Sequence, residues 1–197
     1  MKINNNISSI AFKCRGLFWG IFATGILIFP GSYNIYRFIT GILLLIIGQL
    51  LRLWAAGYIP KYRTETIGAP ELITSGPYAI IRNPLYAGNA IMGVGWTVIV
   101  SWYWVIAFAL AFLLLYYSII IPAEEKFLEE KFGREYLQYK QDVPALFPNF
   151  SAKKNSCSNK QFNLNNAINE EIYSIYMNIF ITIAIIIRLF CKTQFGY

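Results

Sequence analysis

Residues 85–122 run for 38 positions without one charged side chain. A helix rising 1.5 Å per residue needs about 20 residues to cross about 30 Å of hydrocarbon. The run is therefore too long for one crossing and long enough for two. Ser101 and the aromatic cluster Trp102, Tyr103 and Trp104 mark the turn, since indole and phenol rings favour the boundary between hydrocarbon and headgroups. The expectation is two antiparallel helices joined at an aromatic interface.

Composition agrees with a bilayer setting. The chain is 56% hydrophobic and 14% charged, with mean hydropathy +0.46, outside the balance of an ordinary soluble domain. Its net charge of +7 could suit a nucleic-acid binder, but the basic residues sit in short loops between apolar runs and read as membrane orientation signals. There is no histidine, and Cys14, Cys157 and Cys191 stand at unrelated spacings. Neither a disulfide framework, a zinc site nor a transition-metal centre is expected, and nucleic acid is not an expected partner.

Two apolar runs precede the long one. Residues 16–29 end at Pro30-Gly31, and residues 38–58 are long enough to span. Lys13 and Arg15 ahead of the first run raise a signal peptide as an alternative, but no small-residue cleavage pattern follows and a second apolar run arrives within about ten residues, which favours a helical hairpin. Arg52, near the end of the second run, is expected to snorkel to the interface.

After the long run the character changes to AEEKFLEEKFGREYLQYKQD from Ala123, with Phe127, Leu128, Phe132, Tyr136 and Tyr139 at helical spacing amid charge. This predicts an amphipathic helix or helix pair on the membrane surface, with a solvated charged helix as the competing account. The two prolines of VPALFP, 143–148, close the region. Residues 151–171 are rich in Asn, Ser and Lys and read as a polar linker. Residues 172–190 are an apolar run interrupted by Asn178, Thr182 and Arg188, expected as a further transmembrane helix, with an interfacial helix or a poorly ordered tail as the alternatives. The fold class expected is an all-α integral membrane protein of four to five transmembrane helices, residues 1–150 forming the membrane domain. Lys2, Lys13, Arg15, Lys61, Arg63, Arg82 and the basic residues from Lys126 to Lys160 fall in one set of loops and Arg37 in the other, which predicts a cytoplasmic N-terminus.

The chemistry available is narrow. Without histidine there is no Ser-His or Cys-His pair, and no phosphate-binding loop or Gly-x-Gly-x-x-Gly occurs. Glu124 and Glu125 follow what reads as a helix ending at Ile121-Pro122, so a carboxylate sits at the membrane boundary, where it could accept hydrogen bonds from ribose hydroxyls or an ammonium, or simply be hydrated at a helix exit. Residues 74–86, TSGPYAIIRNPLY, supply a Gly76-Pro77 turn, the fixed cation Arg82, and Asn83-Pro84 as a helix start. An ordinary loop and helix cap would look the same.

TSGPYAIIRNPLYAG, an uncharged hairpin and EEKFLEEKFGREYLQYKQDVPALFP, in that order over residues 40–148, together resemble the isoprenylcysteine carboxyl methyltransferases and the related phospholipid methyltransferases. The resemblance implies a cytosol-facing S-adenosylmethionine pocket capped by the C-terminal segment, with a tunnel from the bilayer for a lipophilic acceptor. By position it places Pro70, Glu71, Leu72, Ile73 and Tyr78 along the cofactor. The family's Arg-His-Pro-x-Tyr becomes Arg82, Asn83, Pro84, Leu85 and Tyr86, with Glu124, and secondarily its neighbour Glu125, opposite. Methyl transfer from a sulfonium needs mainly alignment, so no catalytic residue is assigned. Two departures stand out: Asn83 replaces the usual histidine, and Ile119-Ile120-Ile121 stand where relatives that methylate a prenylated cysteine tend to have an arginine. An NADPH-dependent membrane reductase of similar design and a non-catalytic membrane binding protein are the alternative readings.

Overall fold

The uncharged run does fold as two antiparallel helices. The computed structural model describes residues 6–28, 31, 33–59, 71–150 and 160–195, with 6–13, 15 and 192–195 described by their backbone alone. Helix α1 spans Asn6–Ile28, α2 Ile35–Ala56, α3 Pro84–Val100, α4 Trp102–Phe112, α5 Ile121–Phe132, α6 Arg134–Asp142 and α7 Leu164–Phe195. A 3-10 turn, Gly76–Ala79, precedes α3, and no strand occurs among the described residues. The α3–α4 turn falls at Ser101, whose hydroxyl accepts the Tyr103 amide and caps α4. Asn34 caps α2 in the same way, accepting from the Arg37 amide at 3.1 Å.

The tightest packing joins α2 to α3. A Cβ on Gly48 would lie 2.8 Å from the Gly88 carbonyl oxygen, and one on Gly41 2.6 Å from that of Gly95. Glycines spaced seven apart on each helix let the two backbones touch, the usual way helices associate where lipid offers no hydrophobic drive. Outward, the pattern is inverted relative to a soluble protein: Leu43, Ile46 and Leu50 on α2, Ile106 and Leu110 on α4, and Phe180, Ile183 and Ile187 on α7 are exposed. These faces suit hydrocarbon, and the chain is an all-α integral membrane protein. Among the described residues three helical stretches, Ile35–Ala56, Trp102–Phe132 and Leu164–Cys191, are long and apolar enough to cross a membrane, while Gly16–Ile28 and Pro84–Val100 are shorter apolar helices running beside them.

Four expectations change. Pro122 does not end a helix: α4 continues through a π-helical stretch, Leu113–Ile120, into α5. The wider register precedes the proline, whose ring would otherwise press on the carbonyl four residues back. The chain turns only at Gly133, whose φ of 55° favours glycine, and α6 begins there. Second, α1 packs chiefly on the π stretch and α7 rather than forming a close hairpin with α2. Its Trp19 donates to the Tyr116 hydroxyl of the π stretch at 3.0 Å and lies beside Phe108 of α4, where the flat indole meets aromatic faces.

Third, helix begins at Leu164, so 164–171 of the expected linker belong to α7. Asn163 caps that start by accepting the Asn166 amide, and the Asn163 amide donates to the Gly57 carbonyl. Fourth, Arg52 does not reach for the interface. It is buried, and it grips Glu171 of α7 through Nε at 2.7 Å and Nη2 at 2.8 Å. A bidentate carboxylate is a better partner than a distant headgroup once α7 lies alongside.

Candidate functional site

The second motif wraps the first. Ile80–Asn83 and Pro144–Asn149 run side by side: the Arg82 amide donates to the Pro144 carbonyl at 2.9 Å, the Asn83 amide to Ala145 at 3.1 Å, and the Asn149 amide to Ile80 at 2.9 Å. VPALFP is therefore a clasp across the start of α3, placed there because its prolines forbid continuation of α6. The Asn83 side chain adds a bond from Nδ2 to the same Ala145 carbonyl at 3.1 Å. The Tyr139 hydroxyl on α6 donates to the Tyr78 carbonyl at 2.7 Å.

Arg82 is the centre of this clasp. Nε and Nη2 donate to one Glu125 oxygen at 3.1 and 2.7 Å, and Nη1 donates to the carbonyls of Lys140, at 2.8 Å, and Val143. The other Glu125 oxygen meets Lys140 Nζ at 3.1 Å, and the same ammonium reaches Glu129 at 2.5 Å. The hydrogen bond to Glu129, aided by Glu125, holds the Lys140 ammonium above its ordinary 10.5. Burial raises the phenols of Tyr136 and Tyr139 well above 10.0, with the Glu125 charge adding to the effect at Tyr136. Arg82 and Glu125 thus spend their polar atoms within the protein.

Glu124 faces another way. Its Oε1 accepts the Tyr86 hydroxyl at 2.6 Å, joining the first turn of α3 to α5. Tyr86 lies against Tyr116 at 4.9 Å between ring centroids, and Tyr116 stacks on Phe112 at 4.8 Å. A carboxylate beside a bank of aromatic faces is a setting that favours a cation, by charge and by the ring quadrupoles.

Of the residues expected at the cofactor, the fold gathers Arg82, Asn83, Pro84, Leu85 and Tyr86 at the head of α3, opposite Glu124 and Glu125. Tyr78 is tied to the same end through Tyr139. Leu72 is buried, Ile73 half-buried, and exposed Glu71 pairs with Lys160 ahead of α7. Pro70 lies outside the described residues. The sequence reading missed Lys140 and Glu129, the second layer beneath Arg82. Their only signal was a charged helix pair broken by Gly133, which says that charges exist but not which of them meet.

The family model for phospholipid methyltransferase matches residues 36–135, which contain α2, α3 and the α4–α5 helix. The cobalt-zinc-cadmium resistance protein CzcN of Cupriavidus metallidurans is 39% identical over 51% of this chain and 44% of its own length. Protein-S-isoprenylcysteine O-methyltransferase B of Arabidopsis thaliana is 36% identical over 55% of this chain and 57% of its own. The chain thus spans about half the length of these two relatives. A probable protein-S-isoprenylcysteine O-methyltransferase of Oryza sativa subsp. indica is 35% identical over 64% of this chain and 69% of its own. With half the chain matched by the family model and a relative covered over more than two thirds of its length, the protein belongs to the phospholipid methyltransferase family.

Proposed function

We propose that the protein is a membrane-embedded methyltransferase that uses S-adenosylmethionine to methylate a lipophilic acceptor. The observation that carries this is the Tyr86–Glu124 contact, which brings two motifs 38 residues apart in sequence to one point at the end of an uncharged hairpin. The donor set fits the cofactor: Glu124 offers a carboxylate to its ammonium or ribose hydroxyls, and Tyr86 and Tyr116 offer ring faces suited to a positive centre. When bound, the cofactor would supply an already activated methyl group on sulfur. Tyr86 would hold the Glu124 carboxylate in one orientation, and the Arg82–Glu125 clasp would hold α5 and the C-terminal cap against α3. An acceptor that attacks as an anion has no proton to lose, so the absence of histidine is no obstacle. The exposed apolar faces of α2, α4 and α7 allow such an acceptor to arrive from the bilayer. The distribution of basic residues supports a cytoplasmic site.

The reductase alternative requires free cations for a phosphate, and Arg82 is committed to Glu125 and to two carbonyls. The test is the thermal stability of the full chain in detergent against S-adenosylmethionine, S-adenosylhomocysteine and NADPH. At about 100 times its dissociation constant a ligand stabilises by about 2.7 kcal/mol. A rise with the adenosyl ligands, abolished by Glu124→Gln, is expected. A rise with NADPH alone, or with none of the three, overturns the proposal.

A further inference from the structure

The ion pair between Arg52 and Glu171 is placed where simple anchoring does not require one. Arg52 and Glu171 expose 9% and 0% of their side chains. Two well-packed apolar side chains would hold α7 to α2 at least as firmly, since burying both charges costs about as much as their attraction returns. Ionisable groups kept inside a membrane domain by default point to a role in the site they serve.

The route taken by Arg52 shows where that role lies. Its side chain crosses α3 over Gly88, where a Cβ would lie 2.5 Å from Arg52 Cγ. Beyond Gly88, Nη1 donates to Asn89 Oδ1 at 2.6 Å, while Nε and Nη2 remain on Glu171. One guanidinium therefore fixes three helices. Asn89 lies one turn after Tyr86 on α3, and the Tyr86 hydroxyl holds Glu124. Gln49, one turn before Arg52, also donates to Glu171 Oε2 at 3.5 Å and accepts Asn178 Nδ2 from α7, so the polar seam continues away from the site. Arg52 and Asn89 lie within the matched residues 36–135; Glu171 lies outside them.

We propose that Glu171, on the tail helix, is a positioning residue for the cofactor site: it holds Arg52, Arg52 holds Asn89, and Asn89 fixes the rotation of the α3 turn that presents Tyr86 to Glu124. This rests on the reading of that site as an S-adenosylmethionine site. The tail helix is then a working part of the enzyme.

The experiment uses full-length variants in detergent, reading melting temperature and S-adenosylmethionine affinity separately. Glu171→Gln and Arg52→Met each leave a buried charge poorly matched and lower both quantities. Arg52→Met combined with Glu171→Met removes both charges; the melting temperature returns to near wild type while affinity stays down about tenfold, as coupling through packed side chains allows. Asn89→Ala keeps the ion pair intact and gives the same loss of affinity with a smaller fall in melting temperature than Glu171→Gln. If the double variant regains affinity together with stability, or Asn89→Ala binds like wild type, the pair is an anchor only and the proposal falls. A wild-type protein that binds no adenosyl ligand overturns the functional reading itself, an outcome distinct from either of these.

Discussion

Replacing Arg82 by Met tests whether the clasp is the main tie between the two motifs. The Arg82 and Glu125 side chains expose only 10% and 11%, so removing one partner leaves a nearly buried carboxylate. Such a loss costs about 3–5 kcal/mol when nothing replaces the partner. Here Lys140 Nζ remains 3.1 Å from the other Glu125 oxygen, but its side chain is 38% exposed and already shared with Glu129, so it compensates only in part. The lower end, about 3 kcal/mol, is therefore expected. For a chain of this size each kcal/mol moves the melting temperature by about 2–4 °C, giving a fall of about 6–12 °C. Arg82→Lys should fall between, because an ammonium can meet Glu125 but cannot also span both carbonyls at the end of α6. Combining Arg82→Met with Glu125→Met should recover much of the loss. Differential scanning fluorimetry of the four proteins in one detergent is the assay. An Arg82→Met protein melting within about 2 °C of wild type would refute the reasoning, since the carboxylate would then be satisfied without the arginine.

Gly48→Ala places a methyl 2.8 Å from the Gly88 carbonyl and 2.5 Å from Met92 Cγ, and should destabilise by about 1–3 kcal/mol, whereas Gly16→Ala, with nothing within 4 Å, should be neutral or stabilising; thermal melts of the pair check this. Raising pH should weaken the clasp from about pH 10 upward: the phenols of Tyr136 and Tyr139 and the Lys140 ammonium all keep their protons longer in the folded state, so their contribution is complete below the ordinary 10.0–10.5 and is lost as pH rises through the raised values. Tyrosinate absorbance followed against a folding probe should show those two phenols ionising only with unfolding, an expectation that Tyr136→Phe and Tyr139→Phe difference spectra would check. Tyr86→Phe deletes the donor to Glu124 and should weaken S-adenosylmethionine binding about tenfold by calorimetry; a hydrogen bond to a charged group contributes about 1.5–3 kcal/mol, so at the lower end the melting temperature should also fall, by about 3–6 °C.

What the sequence by itself determined is local or repetitive. Charge-free length set the α3–α4 hairpin, Ser101 and its aromatic neighbours set the turn, and Asn83-Pro84 set the helix start, because each depends on residues within one or two turns of one another. The two motifs were legible as a pair only through their resemblance to a family, since nothing in their spacing says that they meet. Tertiary structure alone decided the partners. Arg52 read as an interfacial cation because its carboxylate lies 119 residues away, in a stretch whose asparagines and lysines suggested a linker. Pro122 read as a stop because the π-helical register that carries the helix past it is an accommodation to packing, not a residue preference. Arg82 and Glu125 read as ligand groups, yet their fork and carboxylate are closed by backbone carbonyls and Lys140 brought in by α6. A side chain's chemistry is written in the chain, but the identity of the atom that satisfies it is settled only when distant helices pack and water is excluded from between them.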